Sequence, residues 1–278
     1  MEARWAKKTM NFLSKLIFYF KKPQIIIVAG RGRSCAAEAI FQVLRPHFKV
    51  GRLTNFPCSV SYGQILGKEI LIFESKIEKA ENFNFLIKRS SLPILVVTYI
   101  GDIPPDKDFF TGEREKTTEI RKLARILPSQ SYLILNFDDE AIREIKDITN
   151  FNTLTFGFQE GADFKASDIR LNNGTNFKIN YKGNIVPIWL PEPQRSQRAL
   201  RALFHLRPAN GTRWLKMKAN SEGGELHRLE KLFGKEQIYA SLSAISIGVI
   251  FDLNLVEISQ LLKNYQGIAG KMNGSQRG

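Results

Sequence analysis

The stretch Gln24-Ile25-Ile26-Ile27-Val28-Ala29-Gly30-Arg31-Gly32-Arg33-Ser34 decides the fold of this chain. Its β-branched residues predict a buried strand that runs directly into a glycine-rich turn. The following residues, 34–44, predict a helix because small and apolar residues recur there at helical spacing. A strand, a glycine turn and a helix N-terminus form a cradle for phosphate, since backbone N–H groups and the helix dipole both favour an anion. The sequence therefore predicts a P-loop-type nucleotide site that consists of Gly30, Arg31, Gly32, Arg33 and Ser34.

The centre of this loop differs from a standard phosphate loop. The pattern G-x-x-x-x-G-K-[ST] places a lysine before the hydroxyl residue, where it reaches the outer phosphates. Here Arg33 holds that place, and the spacing between Gly30 and Gly32 is compressed. Arginine neutralises phosphate charge, but it is bulkier than lysine and does not replace it at a tightly packed γ-phosphate. The loop thus has the architecture of a nucleotide site with altered chemistry.

Composition limits the classes of partner. The chain has 278 residues, of which 43% are hydrophobic, and this suffices for a sizeable core. Its net charge of +14 favours polyanionic partners, which are nucleotides, nucleic acid or an anionic membrane surface. The two cysteines, Cys35 and Cys58, have no metal-ligand spacing and no disulfide framework, which indicates a reducing, cytoplasmic compartment.

Residues 1–22 predict a basic amphipathic helix. The apolar run 16–20 is too short to span a bilayer, and no small-residue cleavage site follows it. The helix either packs against the sheet through its apolar face or lies on a membrane surface, which would make the protein membrane-peripheral. The predicted apolar face consists of Trp5, Leu13, Leu16, Ile17 and Phe20.

The remaining sequence predicts an α/β fold. Continuous apolar strands at 69–74, 92–99 and 132–137, with a helix at 117–127, indicate a mostly parallel sheet with helices on both faces. Short alternating segments then predict a small β-hairpin region over residues 151–190. Its predicted turns are Asn173-Gly174 and Lys182-Gly183, and helices return at 238–250 and 256–264.

The order of these parts over most of residues 23–273 resembles the central ATP-binding domain of the Mur ligases. These are the amide-forming enzymes of peptidoglycan precursor synthesis. Within the family, the chain looks most like the members that add D-alanyl-D-alanine to UDP-N-acetylmuramoyl-tripeptide. In chain order, the similar segments are Ile25–Ser34 (T-G-x-x-G-K-T-[TS]), Phe73-Glu74 (a strand ending in glutamate), Val96–Gly101 (V-x-T-N-I-G), Leu127-Pro128 with Ile134–Asp139 (L-P and [IV]-L-N-x-D-D), Phe156-Gly157 with Ala162–Ile169 (F-G and A-D-[IF]-x-A-x-[DN]-[IV]), Gly234–Ala244 (G-K-H-N-V-x-N-A-L-A-A) and Gly270–Met272 (G-R-M).

The resemblance implies an ATP-dependent ligase in which ATP activates a carboxylate as an acyl phosphate and an amine then forms the amide. Phosphoryl transfer of this kind depends on positioning and on charge neutralisation by Mg²⁺. By resemblance, Ser34 and Glu74 hold Mg²⁺, while Gln237 and Lys271 join the loop in binding ATP. UDP-N-acetylmuramoyl-peptide is implied as a partner only if partner domains are supplied.

Two carboxylate features have a second interpretation from the residues alone. Glu74 at a strand end is either a metal ligand or an ordinary solvated carboxylate. Asp138-Asp139 after Asn136 is a turn signal by itself, and we expect a turn role rather than a catalytic one.

Several positions depart from the family pattern, and together they predict an impaired or inactive enzyme whose catalytic residues remain unassigned. The alternatives are a non-catalytic nucleotide-binding or scaffold relative, and a basic protein that binds nucleic acid or a membrane surface. The departures are Arg33 for the loop lysine, Tyr99 for an asparagine, Pro104 or Asp106 for a metal-binding histidine, Ile120 for a carbamylated lysine (with Lys116 able to substitute only if the helix shifts), Glu236-Gln237 for H-N, and Lys271 for an arginine.

The predicted domain organisation is a central domain interrupted by an insert. It comprises residues 23–191 and 232–273, and we expect the family's N-terminal and C-terminal domains to be absent. The insert, residues 192–231, is strongly basic and fits no part of the family pattern. It is a basic helix suited to nucleic acid or acidic lipid, a disordered insert, or a stretch of altered reading frame.

Overall fold

The computed structural model describes residues 12–54, 62–101, 116–146, 152–171, 174–191 and 235–265. Within these residues nine strands form one sheet. The strands are β1 (Gln24–Ala29), β2 (Val50–Thr54), β3 (Ile70–Glu74), β4 (Pro93–Val97), β5 (Tyr132–Asn136), β6 (Asn152–Gly157), β7 (Phe164–Arg170), β8 (Thr175–Tyr181) and β9 (Asn184–Leu190).

Helices precede, connect and follow these strands. A short 3₁₀ segment, Ala80–Phe83, leads directly into one of them. The helices are α1 (Phe12–Lys21), α2 (Arg33–Leu44), α3 (Tyr62–Ile65), α4 (Asn84–Arg89), α5 (Thr117–Arg125), α6 (Glu140–Lys146), α7 (235–250) and α8 (Leu255–Leu262).

The strand order is β2-β3-β1-β4-β5-β6-β7-β8-β9. Strand β1 pairs in parallel with β3 and β4, and β4 pairs in parallel with β5, so the predicted mostly parallel α/β sheet is confirmed. The predicted strands differ from β3, β4 and β5 only at their ends. The carboxyl ends of these parallel strands share one edge of the sheet, where ligands bind in open α/β folds.

Apolar cores cover both faces of the sheet. Alternate residues of β1 point to opposite sides, so Ile26 and Val28 join one core while Ile25 and Ile27 join the other. Helices α2, α7 and α8 cover the first face, and α1, α4, α5 and α6 cover the second. The expectation of helices on both faces is therefore confirmed.

The hairpin region is only partly as predicted. Strands β7, β8 and β9 form antiparallel pairs, and Lys182-Gly183 makes the turn between β8 and β9 with positive φ at both residues. Strand β6, however, pairs in parallel with β5 and with β7, so residues 152–157 extend the parallel sheet instead of forming a hairpin. Asn173 of the other predicted turn lies outside the described residues.

Helix α1 packs through a face that was predicted only in part. Phe18, which the predicted face did not include, is fully buried against the second core, and Ile17 of the predicted face is partly buried against it. Leu16 and Phe20 of the predicted face are exposed. Large apolar residues surround most of this helix, so their spacing alone does not identify the buried side. Trp5 and the side chain of Leu13 lie outside what the structure describes. In the described residues no helix is both long and apolar enough to cross a membrane.

Candidate functional site

The loop between β1 and α2 is held close to the end of β4 by its glycines. Gly30 and Gly32 have φ values of 96° and 78°, a conformation that side chains other than hydrogen disfavour. A Cβ atom on Gly30 would lie 2.6 Å from Thr98 Oγ1 and 2.8 Å from the Tyr99 nitrogen. Glycine is therefore needed at position 30 both for its conformation and for space.

Thr98 and Tyr99 fix the loop from the neighbouring strand. The Arg31 N–H donates to the Tyr99 carbonyl oxygen at 2.7 Å. The Thr98 hydroxyl lies 2.8 Å from the Ala29 carbonyl oxygen and 2.5 Å from that of Arg31. No sequence pattern predicted this role for either residue, although both lie in a segment that resembles the family pattern. Their main-chain and hydroxyl contacts set the loop geometry independently of the altered side chains.

The start of α2 supplies positive potential at the carboxyl edge of the sheet. Gly32 is the N-cap and has no side chain to accept from the N–H groups of the first turn. Arg33 is partly buried and its Nη1 lies 3.4 Å from the Gly30 carbonyl oxygen. The buried Nε of Arg31 donates to no acceptor among the described residues. Such a donor beside a helix N-terminus is suited to an anion.

Ser34, in the first turn of α2, and Glu74, at the end of β3, lie together, as the family resemblance implies. The Ser34 hydroxyl donates to Glu74 Oε1. Glu74 ends β3 and is only 7% exposed, so the alternative of an ordinary solvated carboxylate is wrong. Its buried charge requires polar partners, since an isolated carboxylate is costly to remove from water.

Arg52, for which no motif predicted a role, is a main partner of Glu74. Its Nε and Nη2 lie 3.1 Å and 2.5 Å from Glu74 Oε2. Its Nη1 donates to Glu38 on α2, and its Nη2 also lies 3.3 Å from the Ser34 carbonyl oxygen. This cluster could not be predicted from the sequence, because β2, the short strand that carries Arg52, was not predicted. Its glycine and arginine interrupt the apolar pattern of a buried strand.

The donor set of Ser34 and Glu74 has the chemistry of a magnesium site, but its arrangement does not fit a bound ion. Magnesium prefers carboxylate and hydroxyl oxygens in octahedral geometry. Both oxygens of Glu74 already accept hydrogen bonds, one from Ser34 and the other from the Arg52 guanidinium. A divalent cation bound to Glu74 would therefore be repelled by the positive charge of the Arg52 guanidinium. The described part of the chain also contains no group of three or more His, Cys, Asp or Glu side chains arranged to hold a metal.

Asp139 joins the end of β4 to the start of α6. Its Oδ2 accepts from the N–H groups of Ile100 and Gly101 at 2.6 Å and 3.0 Å. Its Oδ1 accepts from the Ala141 N–H at 3.1 Å, and the side chain is 1% exposed. These contacts assign Asp139 a structural role at a turn, in line with the sequence expectation.

Asp138 makes a similar connection on the other side of β5. It accepts from the N–H groups of Phe158 and Gln159 at 2.8 Å and 3.0 Å, and from the Tyr239 hydroxyl at 2.7 Å. Gly157 leaves space for this carboxylate, because a Cβ there would lie 2.8 Å from Asp138 Oδ1. Asp138 thus ties the loop after β6 to α7.

Gln237 places an unused amide donor in the interior. It lies on α7, is 3% exposed, and its Oε1 lies 3.4 Å from the Thr175 hydroxyl. Its Nε2 has no acceptor among the described residues. A buried N–H₂ group of this kind is suited to a ligand acceptor. Lys271, the other predicted nucleotide contact outside the loop, lies outside the described residues.

Some positions that depart from the family pattern near its second metal site lie in the core, and others lie outside the described residues. Ile120, where the resemblance places a lysine, is fully buried among apolar residues of the second core. Lys116, which could substitute there only if the helix shifted, is the exposed N-cap of α5. Tyr99 is buried, while Pro104 and Asp106 lie outside the described residues.

The chain is similar to peptidoglycan ligases both in sequence and in structure. The chain is 33% identical over 79 residues to UDP-N-acetylmuramate–L-alanine ligase from Clostridium beijerinckii, which is 28% of this chain and 17% of that protein. It is 26% identical over 179 residues to the ligase of the same name from Dictyoglomus turgidum, which is 63% of this chain and 29% of that protein. The matched part is thus less than a third of these relatives' length, and no family model matches the chain.

Solved structures show the same fold. MurF from Acinetobacter baumannii matches 94% of this chain and 50% of its own length, with a TM-score of 0.59 and 14% identity. MurF ligase from Thermotoga maritima, solved in complex with ADP, matches 88% of this chain and 51% of its own length, with a TM-score of 0.55 and 15% identity. The sequence relatives are named as L-alanine ligases, whereas these structural neighbours are MurF enzymes.

Proposed function

This chain has the fold of a Mur ligase central domain and Mur ligases as its sequence relatives, and from this premise we propose that it binds the phosphates of an adenine nucleotide at residues 30–34. The observation that carries the proposal is the buried Arg31 Nε, which has no acceptor among the described residues and lies at the N-terminus of α2. A phosphate oxygen would satisfy this donor together with the N–H groups of the first turn. The structural neighbour solved with ADP supports the choice of an adenine nucleotide.

The same proposal extends to the base end of the nucleotide. Gln237 has a buried amide nitrogen without an acceptor among the described residues, and we assign it a contact with the ligand. Lys271, which lies outside the described residues, is the proposed second contact.

Amide ligation is proposed to be impaired. Arg33 stands where the resemblance places a lysine, and Ile120 is buried in the core where it places a carbamylated lysine. An apolar side chain supplies neither charge nor metal ligand, so the chain lacks groups that would stabilise phosphoryl transfer. UDP-N-acetylmuramoyl-peptide is a substrate in this proposal only when partner domains are supplied, and the protein acts in the cytoplasm.

Isothermal titration with ATP and with ADP tests the binding proposal. Combining Arg33→Ala with Ser34→Ala removes a charge and a hydroxyl from the loop, and Arg31→Ala removes the unpaired donor. A charge-assisted hydrogen bond contributes about 1.5–3 kcal/mol, so each variant should weaken binding by about tenfold or more. Arg125→Ala, an exposed arginine on α5, is the matched control and should bind as wild type does. Equal affinity of wild type and all loop variants would remove the loop from the proposal.

A phosphate-release assay tests the impairment. Incubation with UDP-N-acetylmuramoyl-tripeptide, D-alanyl-D-alanine, ATP and Mg²⁺ should release no phosphate above background. A second incubation with L-alanine and UDP-N-acetylmuramate covers the reaction for which the sequence relatives are named. Substrate-dependent release that is lost in Glu74→Ala would contradict the proposal.

One observation favours a second candidate function at a membrane surface. Tyr19 and Phe20 of α1 are 52% and 73% exposed beside Lys21 and Lys22. Apolar side chains flanked by lysines suit the interface of an anionic bilayer. The protein should then co-sediment with vesicles of phosphatidylglycerol, and the Phe20→Ser variant should stay in the supernatant. The nucleic-acid alternative depends on residues 192–231, which lie outside the described residues.

A further inference from the structure

We infer that the Arg52 guanidinium takes the place of a divalent cation beside the phosphate loop, so that this chain binds nucleotide phosphate without a metal ion. The inference rests on the proposed nucleotide binding at residues 30–34 and adds to it a specific chemistry. It assigns Arg52 as a positioning residue that acts through Glu74 and Ser34, and it accounts for the poor fit of magnesium to this pair.

The contacts of Arg52 are those of a cation held in the site. Two of its nitrogens face the same oxygen of Glu74, at 3.1 Å and 2.5 Å. The third nitrogen, Nη1, donates to Glu38, and Nη2 also lies 3.3 Å from the Ser34 carbonyl oxygen. Arg52 therefore binds the carboxylate of the hydroxyl–carboxylate pair and the first turn of α2 at the same time. A guanidinium makes several fixed hydrogen bonds at once, which a lysine ammonium does not match.

The fold fixes this arrangement through strand register. Strands β2 and β3 are parallel, with Arg52 opposite Ile72 and Thr54 opposite Glu74. Arg52 and Glu74 are thus two residues apart along adjacent strands, and side chains two apart in a strand share a face. Helix α2 covers that face and places Ser34 and Glu38, four residues apart, on one side of the helix. The arginine is consequently positioned by β2, β3 and α2 together.

Charge explains why a metal ion is excluded while Arg52 is present. The guanidinium is 18% exposed and places a positive charge between Glu38 and Glu74. Without it, Glu38 and Glu74 would be two partly desolvated carboxylates near a hydroxyl, which is the ligand chemistry that Mg²⁺ and Mn²⁺ prefer. Removal of the arginine should therefore create a metal site that the wild-type chain lacks.

Electron paramagnetic resonance of Mn²⁺ without nucleotide tests this directly. Wild type and Glu74→Gln should leave equal amounts of Mn²⁺ free in solution. Arg52→Met should bind Mn²⁺, and the double variant of Arg52→Met with Glu74→Gln should lose that binding. Glu74-dependent Mn²⁺ binding by wild type would overturn the inference, and so would a folded Arg52→Met protein that binds none. If Arg52→Met fails to fold, the comparison of wild type with Glu74→Gln decides the question.

A second measurement compares ADP affinity in Mg²⁺ with ADP affinity in EDTA. The dissociation constant should change by less than about twofold, whereas a bridging metal ion would make EDTA weaken binding by about tenfold or more. The larger effect would overturn the inference. No ADP binding in either buffer would contradict the proposed nucleotide site, while the Mn²⁺ experiment would still decide the role of Arg52.

Discussion

Buried carboxylates at the carboxyl ends of two strands of the same sheet accept hydrogen bonds from different kinds of donor. Glu74, at the end of β3, is held by side chains: the Ser34 hydroxyl and the Arg52 guanidinium. Asp138 and Asp139, directly after β5, accept mainly from backbone N–H groups of the loops that they join. All three lie at the carboxyl edge of the parallel strands, so position in the fold does not explain the difference.

The difference separates residues that hold the fold together from residues of the proposed nucleotide site. A carboxylate that satisfies several backbone N–H groups is part of the fold, because its removal leaves those groups buried without an acceptor. A carboxylate held by side chains leaves the local backbone largely independent of it. The edge near β5 therefore holds the loops in place, while the edge near β1 and β3 carries the charges that a nucleotide would meet.

The largest expected effect is the loss of stability on Asp138→Ala. The change removes the acceptor of two backbone N–H groups and of the Tyr239 hydroxyl, and should lower the free energy of unfolding by about 3–5 kcal/mol. Denaturation with urea measures it. Tyr239→Phe removes only one of the three bonds and should cost about 1 kcal/mol. A loss below that of Tyr239→Phe would break the distinction between the two edges.

The next largest loss of stability is expected for Gly30→Ala, in the loop of the proposed nucleotide site. The new Cβ would lie 2.6 Å from Thr98 Oγ1 at a φ of 96°, so strain and displacement should together cost about 3 kcal/mol. The matched control is Gly183→Ala, where φ is 79° but nothing lies within 4 Å of the added atom. That variant should lose only the conformational part, about 1 kcal/mol. Equal losses in thermal unfolding would show that the close approach of β4 to the loop is not required.

Glu74→Gln should have a smaller effect than either change. Glutamine keeps an oxygen for the Ser34 hydroxyl, and Arg52 keeps its pair with Glu38, so we expect a loss of about 1–2 kcal/mol. Urea denaturation, carried out alongside Asp138→Ala, makes the comparison between the two edges. A loss as large as that of Asp138→Ala would mean that Glu74 also belongs to the scaffold.

The two edges also differ in how far the sequence predicts them. The apolar run of β1 and the glycines after it specify the loop and its helix, whereas the pairing of Ser34 with Glu74 was implied by the family resemblance. Arg52 does not, because β2 is five residues long and includes Gly51 and Arg52 itself, so it shows no continuous apolar pattern. The face through which α1 packs was predicted only in part, with Ile17 but without Phe18, because apolar residues on several sides do not specify which side is buried.

The partners of Asp138 were hidden for a different reason. The Asn136-Asp138-Asp139 segment predicts a turn, and the structure has one there. The groups that Asp138 binds, however, lie at residues 158–159 and at Tyr239, on elements distant in the chain. Sequence pattern describes local structure well, whereas long-range hydrogen bonds depend on how the elements pack.

The smallest expected effect concerns an exposed carboxylate that also has a side-chain partner. Asp168 lies 2.6 Å from Lys178, whose hydrogen bond and charge lower the pKa of Asp168 below its ordinary value. A lowered pKa means that the folded state binds the proton less readily than the unfolded state. The pair therefore stabilises the fold above the ordinary carboxyl pKa, and this contribution is lost as the pH falls through the lowered value. Asp168→Asn keeps a residue that tolerates the positive φ of 51° and removes only the charge. Its melting temperature should lie slightly below that of wild type at neutral pH, and the difference should shrink with added salt and vanish in acid. A difference that persists in acid would show that Asp168 stabilises the fold through its backbone conformation. Its ion pair with Lys178 would then not be the cause, and Asp168 would differ from Glu74, which side chains hold in place.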